Sequence, residues 1–227
     1  MVMKNDISAP RGGGPRLSKD TVAVLLIDYQ VGLFSLVKDY EPDVFKNNVL
    51  ALADIAKLYE LPTILTSSTE TGPNGATLPE LKSLHKHAPY IARQGEVSAW
   101  DNEEFLKAVK DTGRNQLIIG GITTDVCVTF PTLSALKEGY QVFVVADASG
   151  TMSKQIADAA LLRMAHAGAE ITNWFSVAND LMRDWRTNQD GQLALFAKHL
   201  PGYKNLMTAA GVTTKEDGGI LARLTGK

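Results

Sequence analysis

The feature that most constrains the fold is a regular alternation of short apolar runs with longer segments of helical periodicity. The first run, TVAVLLID, is apolar at every position from 22 to 27, which is typical of a strand buried on both faces of a sheet. From about Asp43 to Tyr59, apolar residues recur near the helical spacing, which predicts a helix. The alternation repeats along the chain, and it predicts strands at 21–28, 61–68, 88–93, 115–122, 140–147 and 169–174.

Strands that alternate with helices of this length build βαβ units and therefore a parallel sheet. Right-handed crossovers then place helices on both faces of that sheet. We therefore predict an α/β fold, a single-domain open parallel sheet of about six strands in a Rossmann-like three-layer α/β/α arrangement. Because Pro and Gly are frequent near the N-terminus, we predict a flexible arm at 1–17, a folded domain at 18–207 and a C-terminal tail at 208–227.

Composition argues against several classes of partner. The chain has 23 basic and 25 acidic side chains, so no long-range field attracts it to phosphate backbones or to anionic lipid. We predict no nucleic-acid partner and no membrane partner. No apolar run suits a signal peptide or a bilayer span, and a single cysteine cannot form an intramolecular disulfide. A cytoplasmic location is therefore the default expectation.

Ligands of a parallel sheet bind outside the carboxyl ends of its strands, and polar residues follow three of the predicted strands. Asp28 follows the first strand, Arg93 ends the third, and Cys127 lies after the fourth. A carboxylate beside an apolar core is costly without a partner, and Arg93 could supply one. Each residue also has an ordinary interpretation: a cap or salt-bridged surface residue for Asp28, and a solvated strand end for Arg93.

Cys127 lies in GGITTDVCVTF, between a buried strand and a helix. If Thr123 or Thr124 caps that helix, Cys127 lies in its first turn, where free amides and the helix dipole favour a thiolate. Pro131 requires this helix to kink or to begin near that residue. An unpaired cysteine is more often a small buried apolar residue, so these residues alone leave a nucleophile and simple packing both open.

No metal or cofactor motif is present. The sequence has no P-loop, no GxGxxG and no zinc motif, and its histidines do not form a convincing ligand set. We therefore predict no metal and no cofactor. The four histidines are His85, His87, His166 and His199.

Three motifs together resemble the isochorismatase-like cysteine hydrolases, and most closely their YcaC-like branch. The motifs are IDYQ at 27–30, RQGEVSAWDN at 93–102 and GGITTDVCV at 120–128. The resemblance implies a catalytic Asp–Lys–Cys triad, in which Asp28 and Cys127 match and Arg93 stands near the position of the lysine. Arginine keeps its charge but does not readily release a proton, so its expected role is to orient Asp28 and to stabilise charge.

The same resemblance implies a cis peptide between Ile122 and Thr123 that aims the Thr123 amide at the substrate oxygen. The amides of Thr123 and Cys127 would then form an oxyanion hole. The resemblance also implies homo-oligomers, octamers among them. The residues near the expected pocket, and therefore the candidates for substrate binding, are Gln30, Phe34 and Trp100.

We therefore expect a hydrolase of C–N bonds other than peptide bonds. It would use Cys127 to attack a small carboxamide, ureido or carbamoyl substrate and would pass through a thioester intermediate. Its partners would be that small molecule and further copies of the chain. Two alternatives remain: an isochorismatase-type vinyl-ether hydrolase, which needs no cysteine nucleophile, and a non-catalytic oligomeric flavodoxin-like protein.

Overall fold

A six-stranded sheet in the strand order β3-β2-β1-β4-β5-β6 organises the computed structural model, which describes residues 16–211. Every neighbouring pair of strands is parallel. The predicted α/β class and the single open parallel sheet are therefore confirmed. The strands are β1 Val22–Ile27, β2 Thr63–Ser68, β3 Tyr90–Arg93, β4 Gln116–Gly121, β5 Gln141–Val145 and β6 Glu170–Thr172.

Helices cover both faces of the sheet. Buried side chains of α1, α6 and α7 pack on one face, and those of α3, α4 and α5 pack on the other. No helix in the described part of the chain is long and apolar enough to cross a membrane. The helices are α1 Pro42–Leu58, α2 Pro79–Leu84, α3 Glu103–Asp111, α4 Thr129–Lys137, α5 Lys154–His166, α6 Trp174–Met182, α7 Gln189–His199 and α8 Pro201–Ala209.

Strand β1 shows why its sequence is apolar at every position. All six of its residues are buried, because successive side chains point to opposite faces and both faces are covered. Val22, Val24 and Leu26 belong to the core under α1, α6 and α7. The alternate residues Ala23, Leu25 and Ile27 belong to the core under α3, α4 and α5.

The strand order reverses between β1 and β4, and this point positions the site. The chain runs from β1 outward through β2 and β3, and then returns to place β4 on the other side of β1. Ile27 at the end of β1 pairs with Gly121 at the end of β4. A Cβ at Gly121 would collide with the Ile27 carbonyl, and one at Gly120 would collide with the Tyr29 hydroxyl. Glycine therefore allows the close approach of the two strand ends.

The folded domain begins before the predicted boundary at residue 18. Leu17 is buried, and its amide donates to Asp180 Oδ2 at 2.8 Å. Arg16 Nε donates to Asp180 Oδ1 at 2.7 Å. Arg16 and Leu17, which we assigned to the arm, are therefore part of the domain, and α8 runs two residues past the predicted end at 207. The rest of the arm and the tail, at 1–15 and 212–227, lies outside the described residues.

Candidate active site

The carboxyl edge of the sheet brings Asp28, Arg93 and Cys127 together. Asp28 directly follows β1, Arg93 ends β3, and Cys127 lies in a π-helical turn, Thr124–Val128, that follows β4. Asp28 is 0% exposed and Arg93 is 1% exposed, whereas Cys127 is partly exposed. Asp28 has a φ of 56°, a left-handed conformation that aspartate tolerates better than most residues.

Arg93 and Asp28 form an ion pair with no solvent contact. Arg93 Nη2 contacts both carboxylate oxygens of Asp28, with Oδ2 at 2.5 Å, and both side chains are fully buried. The other guanidinium nitrogens are also bonded. Nε donates to Thr66 Oγ1 at 3.0 Å, and Nη1 donates to the carbonyl oxygens of Glu96 and Val97. Every nitrogen of the guanidinium therefore has a protein acceptor, as a buried cation requires.

The Cys127 thiol lies close enough to the Asp28 carboxylate for each group to shift the pKa of the other. Burial, and next the Asp28 charge, raise the pKa of Cys127 to about 12, although the Thr123 amide and the Arg93 charge oppose the shift. Burial also raises the pKa of Asp28 despite its bonds to Arg93 and Cys127. At neutral pH the raised pKa favours a protonated sulfur in the resting site. The expected thiolate is wrong for the resting site, because burial and the carboxylate outweigh the helix end.

The backbone around Cys127 agrees with the resemblance in one respect and differs from the expected cap in another. The Ile122–Thr123 peptide is cis, as the resemblance implied, and the Thr123 backbone acts to lower the pKa of the thiol. Neither threonine caps the helix as expected. Thr123 makes no side-chain capping bond, and the Thr124 hydroxyl is buried without a partner. Instead, the π-helical turn leads directly into α4, and a 2.7 Å hydrogen bond from Thr129 Oγ1 to the Thr124 carbonyl closes this turn.

The π-helical turn also resolves the placement of Pro131. Helix α4 begins at Thr129, directly after the π-helical turn, so Pro131 is its third residue. Proline is tolerated in the first turn of a helix, because its fixed φ suits the helix there. Of the two predicted outcomes, the helix proper beginning near Pro131 is the one observed.

A chain of hydrogen bonds holds the cysteine turn from the side of β5. Thr151 Oγ1 donates to Asp125 Oδ1 at 2.7 Å, and the Thr151 amide donates to Asp39 Oδ1 at 2.9 Å. The Thr124 amide donates to the Gly150 carbonyl at 3.1 Å. These bonds link the segment 147–151, which follows β5, to the residues just before Cys127.

Gln30, a candidate for substrate binding, is committed to the protein backbone. Its side chain is buried, and its Nε2 donates to the carbonyl oxygens of Ser68 at 3.0 Å and Gly75 at 2.5 Å. Its Oε1 accepts the Ser68 amide at 2.8 Å. Gln30 therefore joins the end of β2 to the loop that follows, and its amide group has this role rather than the expected contact with substrate.

The two aromatic candidates lie in different cores. Trp100 is 6% exposed, and its indole N–H donates to Glu138 Oε1 at 2.8 Å among the side chains under α3 and α4. Trp100 is therefore a core residue and not the pocket residue that we expected. Phe34 is half-buried and packs against the core on the opposite face, with its ring centroid 5.3 Å from that of Phe45.

Thr66 is the site residue that the sequence did not single out. It contacts Arg93 through its hydroxyl, and its carbonyl accepts the Asp28 amide at 2.9 Å. A threonine is an ordinary residue of a strand, so its type gave no signal. The available signal was its position, a polar side chain within a strand that the apolar pattern predicts to be buried. Among residues 16–211, no group of three or more His, Cys, Asp or Glu side chains could hold a metal ion.

Sequence comparison assigns the class of protein that this fold and site define. The profile of the isochorismatase domain matches residues 22–175, so the chain belongs to the isochorismatase family of hydrolases. The probable hydrolase YcaC of Escherichia coli is 57% identical over 201 residues, which are 88% of this chain and 97% of that protein. The resemblance to the YcaC-like branch is thereby confirmed.

Two solved structures agree with this assignment. The structure of Escherichia coli YcaC, described as an octameric hydrolase of unknown specificity, has a TM-score of 0.87 over 88% of this chain and 98% of that chain. YcaC from Pseudomonas aeruginosa, solved with hexane-2,5-diol and covalent acrylamide, is 60% identical. Its TM-score is 0.86, and the match covers 87% of this chain and 98% of that chain.

Proposed function

We propose that this chain is a cysteine-dependent amidohydrolase that cleaves a C–N bond of a small carboxamide, ureido or carbamoyl substrate. The observation that carries the proposal is the placement of the partly exposed Cys127 thiol beside the Asp28 carboxylate, which forms a buried ion pair with Arg93. A nucleophile next to a base, with the base held by a third group, is the arrangement that nucleophilic hydrolysis requires.

Acylation of Cys127 is the first half of the proposed reaction. Asp28 accepts the proton of the thiol, and the sulfur forms a bond to the carbonyl carbon of the substrate. The carbonyl oxygen takes up the electron pair and is stabilised by the amides of Thr123 and Cys127. When the tetrahedral intermediate collapses, the C–N bond breaks, and Asp28 returns its proton to the leaving nitrogen.

Hydrolysis of the thioester completes the cycle. Asp28 accepts a proton from a water molecule, whose oxygen attacks the thioester carbon. The C–S bond then breaks, and the sulfur recovers the proton from Asp28. Arg93 keeps its charge throughout, so it holds Asp28 in place and does not transfer protons.

The substrate is proposed to be small and uncharged near the scissile bond. Every nitrogen of Arg93 already has a protein acceptor and its side chain is fully buried, so this cation is not available to a substrate carboxylate. The Pseudomonas aeruginosa relative carries a covalent acrylamide, which is itself a small neutral amide. Both observations favour an amide-sized neutral group.

The test is a screen of small amides, ureas and carbamates in which ammonia release is measured. We expect activity in the unaltered protein, and Cys127→Ser and Asp28→Asn should each reduce it by a factor of about 10⁴ or more. Asp158→Asn is a matched control, because this carboxylate is exposed on α5 and should leave the rate unchanged. Mass spectrometry of the intact protein should detect the acyl adduct on the single cysteine with a reactive substrate.

The family assignment also keeps the vinyl-ether hydrolase as a second candidate. That reaction needs no sulfur nucleophile, so hydrolysis of isochorismate would survive in Cys127→Ser. Full turnover of an amide by Cys127→Ser would contradict the proposed mechanism. Loss of amide hydrolysis in Cys127→Ser, with no hydrolysis of isochorismate by any variant, would favour the cysteine amidohydrolase over the vinyl-ether hydrolase.

We further propose that the chain assembles with copies of itself. The support is its high identity to Escherichia coli YcaC, whose structure is described as octameric. Multi-angle light scattering of the full chain should give a mass close to eight chains. A mass equal to one chain over the working concentration range would contradict this assembly.

A further inference from the structure

We propose that Thr66 is a positioning residue of this site, where its hydroxyl and the carbonyls of Glu96 and Val97 form a socket that holds the Arg93 guanidinium against Asp28. This inference rests on the proposed function, in which the ionised Asp28 is the base. Thr66 does not touch the reacting atoms, and it acts through Arg93 and Asp28.

The direction of each hydrogen bond at Thr66 is fixed by chemistry. Its Oγ1 lies 2.8 Å from the Ile91 carbonyl, which can only accept, so the single hydroxyl proton is donated there. The oxygen of the same hydroxyl lies 3.0 Å from Arg93 Nε, which can only donate. Thr66 is therefore an obligatory acceptor for Arg93. Since Thr66 is 1% exposed, water does not replace it.

Thr66 also holds the other partner of the ion pair. It pairs with Ile27 of β1 and with Ile91 of β3, so it lies between the two strands that carry Asp28 and Arg93. Its carbonyl accepts the Asp28 amide at 2.9 Å. One residue of β2 thus fixes the backbone of the base and the side chain of the cation.

The remaining acceptors make the socket suited to arginine. Nη1 donates to the Glu96 and Val97 carbonyls, while only Nη2 faces Asp28. A lysine has a single nitrogen, which could meet Asp28 but would leave the Thr66 hydroxyl and both carbonyls without their donor. The socket therefore explains how an arginine is accommodated near the position where the resemblance implies a lysine.

Few charged groups act on Asp28. Arg93, from β3, and Cys127, from the turn after β4, are the groups that shift its pKa in addition to burial. The carboxylate of Glu96 is engaged elsewhere, since it accepts the Gly95 amide at 3.2 Å and Asn102 Nδ2 at 2.8 Å. A change in the ionisation of Asp28 therefore reports chiefly on Arg93.

The experiment measures the rate at which acrylamide alkylates Cys127 as a function of pH, in the full-length protein. Two interacting acids lose their protons in two steps as the pH increases. We therefore expect the alkylation rate to rise twice: once at lower pH, when Asp28 ionises, and again at higher pH, when the thiol ionises. In Thr66→Val the guanidinium loses its acceptor and its contact with Asp28 weakens. The lower step should then move up by about one pH unit, whereas Thr66→Ser should stay close to the unaltered protein.

Thr63→Val is the matched control. Thr63 is also a buried threonine of β2, but its hydroxyl donates to the Leu61 carbonyl, at the end of the strand remote from Asp28. It should leave both steps in place. If Thr66→Val does not fold, Thr66→Ala removes the same hydroxyl without adding a methyl group and should show the same shift.

An unmoved lower step in a folded Thr66→Val or Thr66→Ala protein would overturn the positioning role and leave the proposed function intact. An equal shift in Thr63→Val would also overturn it, because the effect would then be general to the strand. Absence of the lower step in the unaltered protein would overturn both proposals. The two failures are therefore distinguishable.

Discussion

At the scale of single residues, the site depends on a carboxylate that is kept ionisable inside the protein. Burial alone would favour the neutral acid, and the buried guanidinium of Arg93 opposes this by direct contact. The Cys127 thiol lies near the same carboxylate, which raises its pKa. The group that must lose a proton and the base proposed to accept it are therefore neighbours.

Removal of Arg93 should damage both stability and ionisation. In Arg93→Met, Asp28 remains buried without its cation, and breaking a buried pair in this way costs about 3–5 kcal/mol. We expect that loss in urea unfolding, and we expect the variant to lose the lower step of the alkylation profile near neutral pH. Lys154→Met, which breaks an exposed pair with Asp158, should change the unfolding free energy by less than about 1 kcal/mol. Similar losses in both variants would contradict this interpretation.

Asp147 gives the molecule a pH-dependent stability. Burial raises the pKa of this carboxyl from 3.8 to about 6. The folded state binds this proton more tightly than the unfolded chain does. The resulting contribution of Asp147 to the free energy of unfolding is therefore fully present below the pKa of the unfolded state, and it is lost as the pH rises through the pKa of the folded state. This group should therefore lower the unfolding free energy by about 2–3 kcal/mol between pH 4 and 7.

The measurement for Asp147 is urea unfolding over that pH range in the unaltered protein and in Asp147→Asn. The asparagine retains an oxygen that can accept the Trp174 amide, as Asp147 Oδ1 does at 3.0 Å. We expect the difference between the two proteins to grow as pH rises. A difference that is constant with pH would show that Asp147 does not titrate in this range.

The residue scale also shows where sequence reasoning succeeds. Asp28, Arg93 and Cys127 were predictable because each ends or follows a strand, and parallel strands end at one edge. Gln30 and Trp100 were misjudged because proximity in sequence to the site does not fix the direction of a side chain. Thr66 was missed because its role depends on pairing across three strands, which no local pattern contains.

At the scale of elements, the α/β alternation was predictable and the C-terminal helices were less so. Within residues 16–211, three helices follow β6, namely α6, α7 and α8. Helix α7 ends at His199 and α8 starts at Pro201, so only Leu200 separates the last two helices. The π-helical turn was also unforeseen, because Pro131 indicated a break without giving its form.

Helix α7 is fastened to α1 by polar contacts that should be energetically important. Asp54 Oδ2 accepts from Lys198 Nζ and lies 2.7 Å from His199 Nε2, while His199 Nδ1 lies 2.9 Å from Asn47 Oδ1. His199 is only 4% exposed. Although burial raises the pKa of Asp54, the bonds from His199 and Lys198 leave it below its ordinary value.

We expect Asp54→Ala to lower the unfolding free energy by about 1–3 kcal/mol, because it leaves Nε2 of the buried imidazole without its partner. Asp158→Ala is the control, since its pair with Lys154 is exposed and should contribute less than about 1 kcal/mol. Urea unfolding of both variants checks this expectation. Equal effects would mean that α7 is held by apolar packing alone.

At the scale of the whole molecule, the topology explains why a site exists where it does. The strand order reverses between β1 and β4, and the connections leave that edge in opposite directions. At this edge Asp28 follows β1, and the cysteine turn follows the neighbouring strand β4. Membership of the isochorismatase family is consistent with this placement, because a shared topology places the same edge in every member.

The central claim, that Asp28 is the base that accepts the proton of Cys127, is tested most directly by the pH dependence of Cys127 alkylation in the unaltered protein and in Asp28→Asn. The cysteine is unique, so every adduct reports on this site. We expect two steps in the pH profile of the unaltered protein and one step in that of Asp28→Asn. The midpoint of this single step should lie below about 12, because the carboxylate charge no longer raises the pKa of the thiol. A single step that is the same in both proteins would contradict the account.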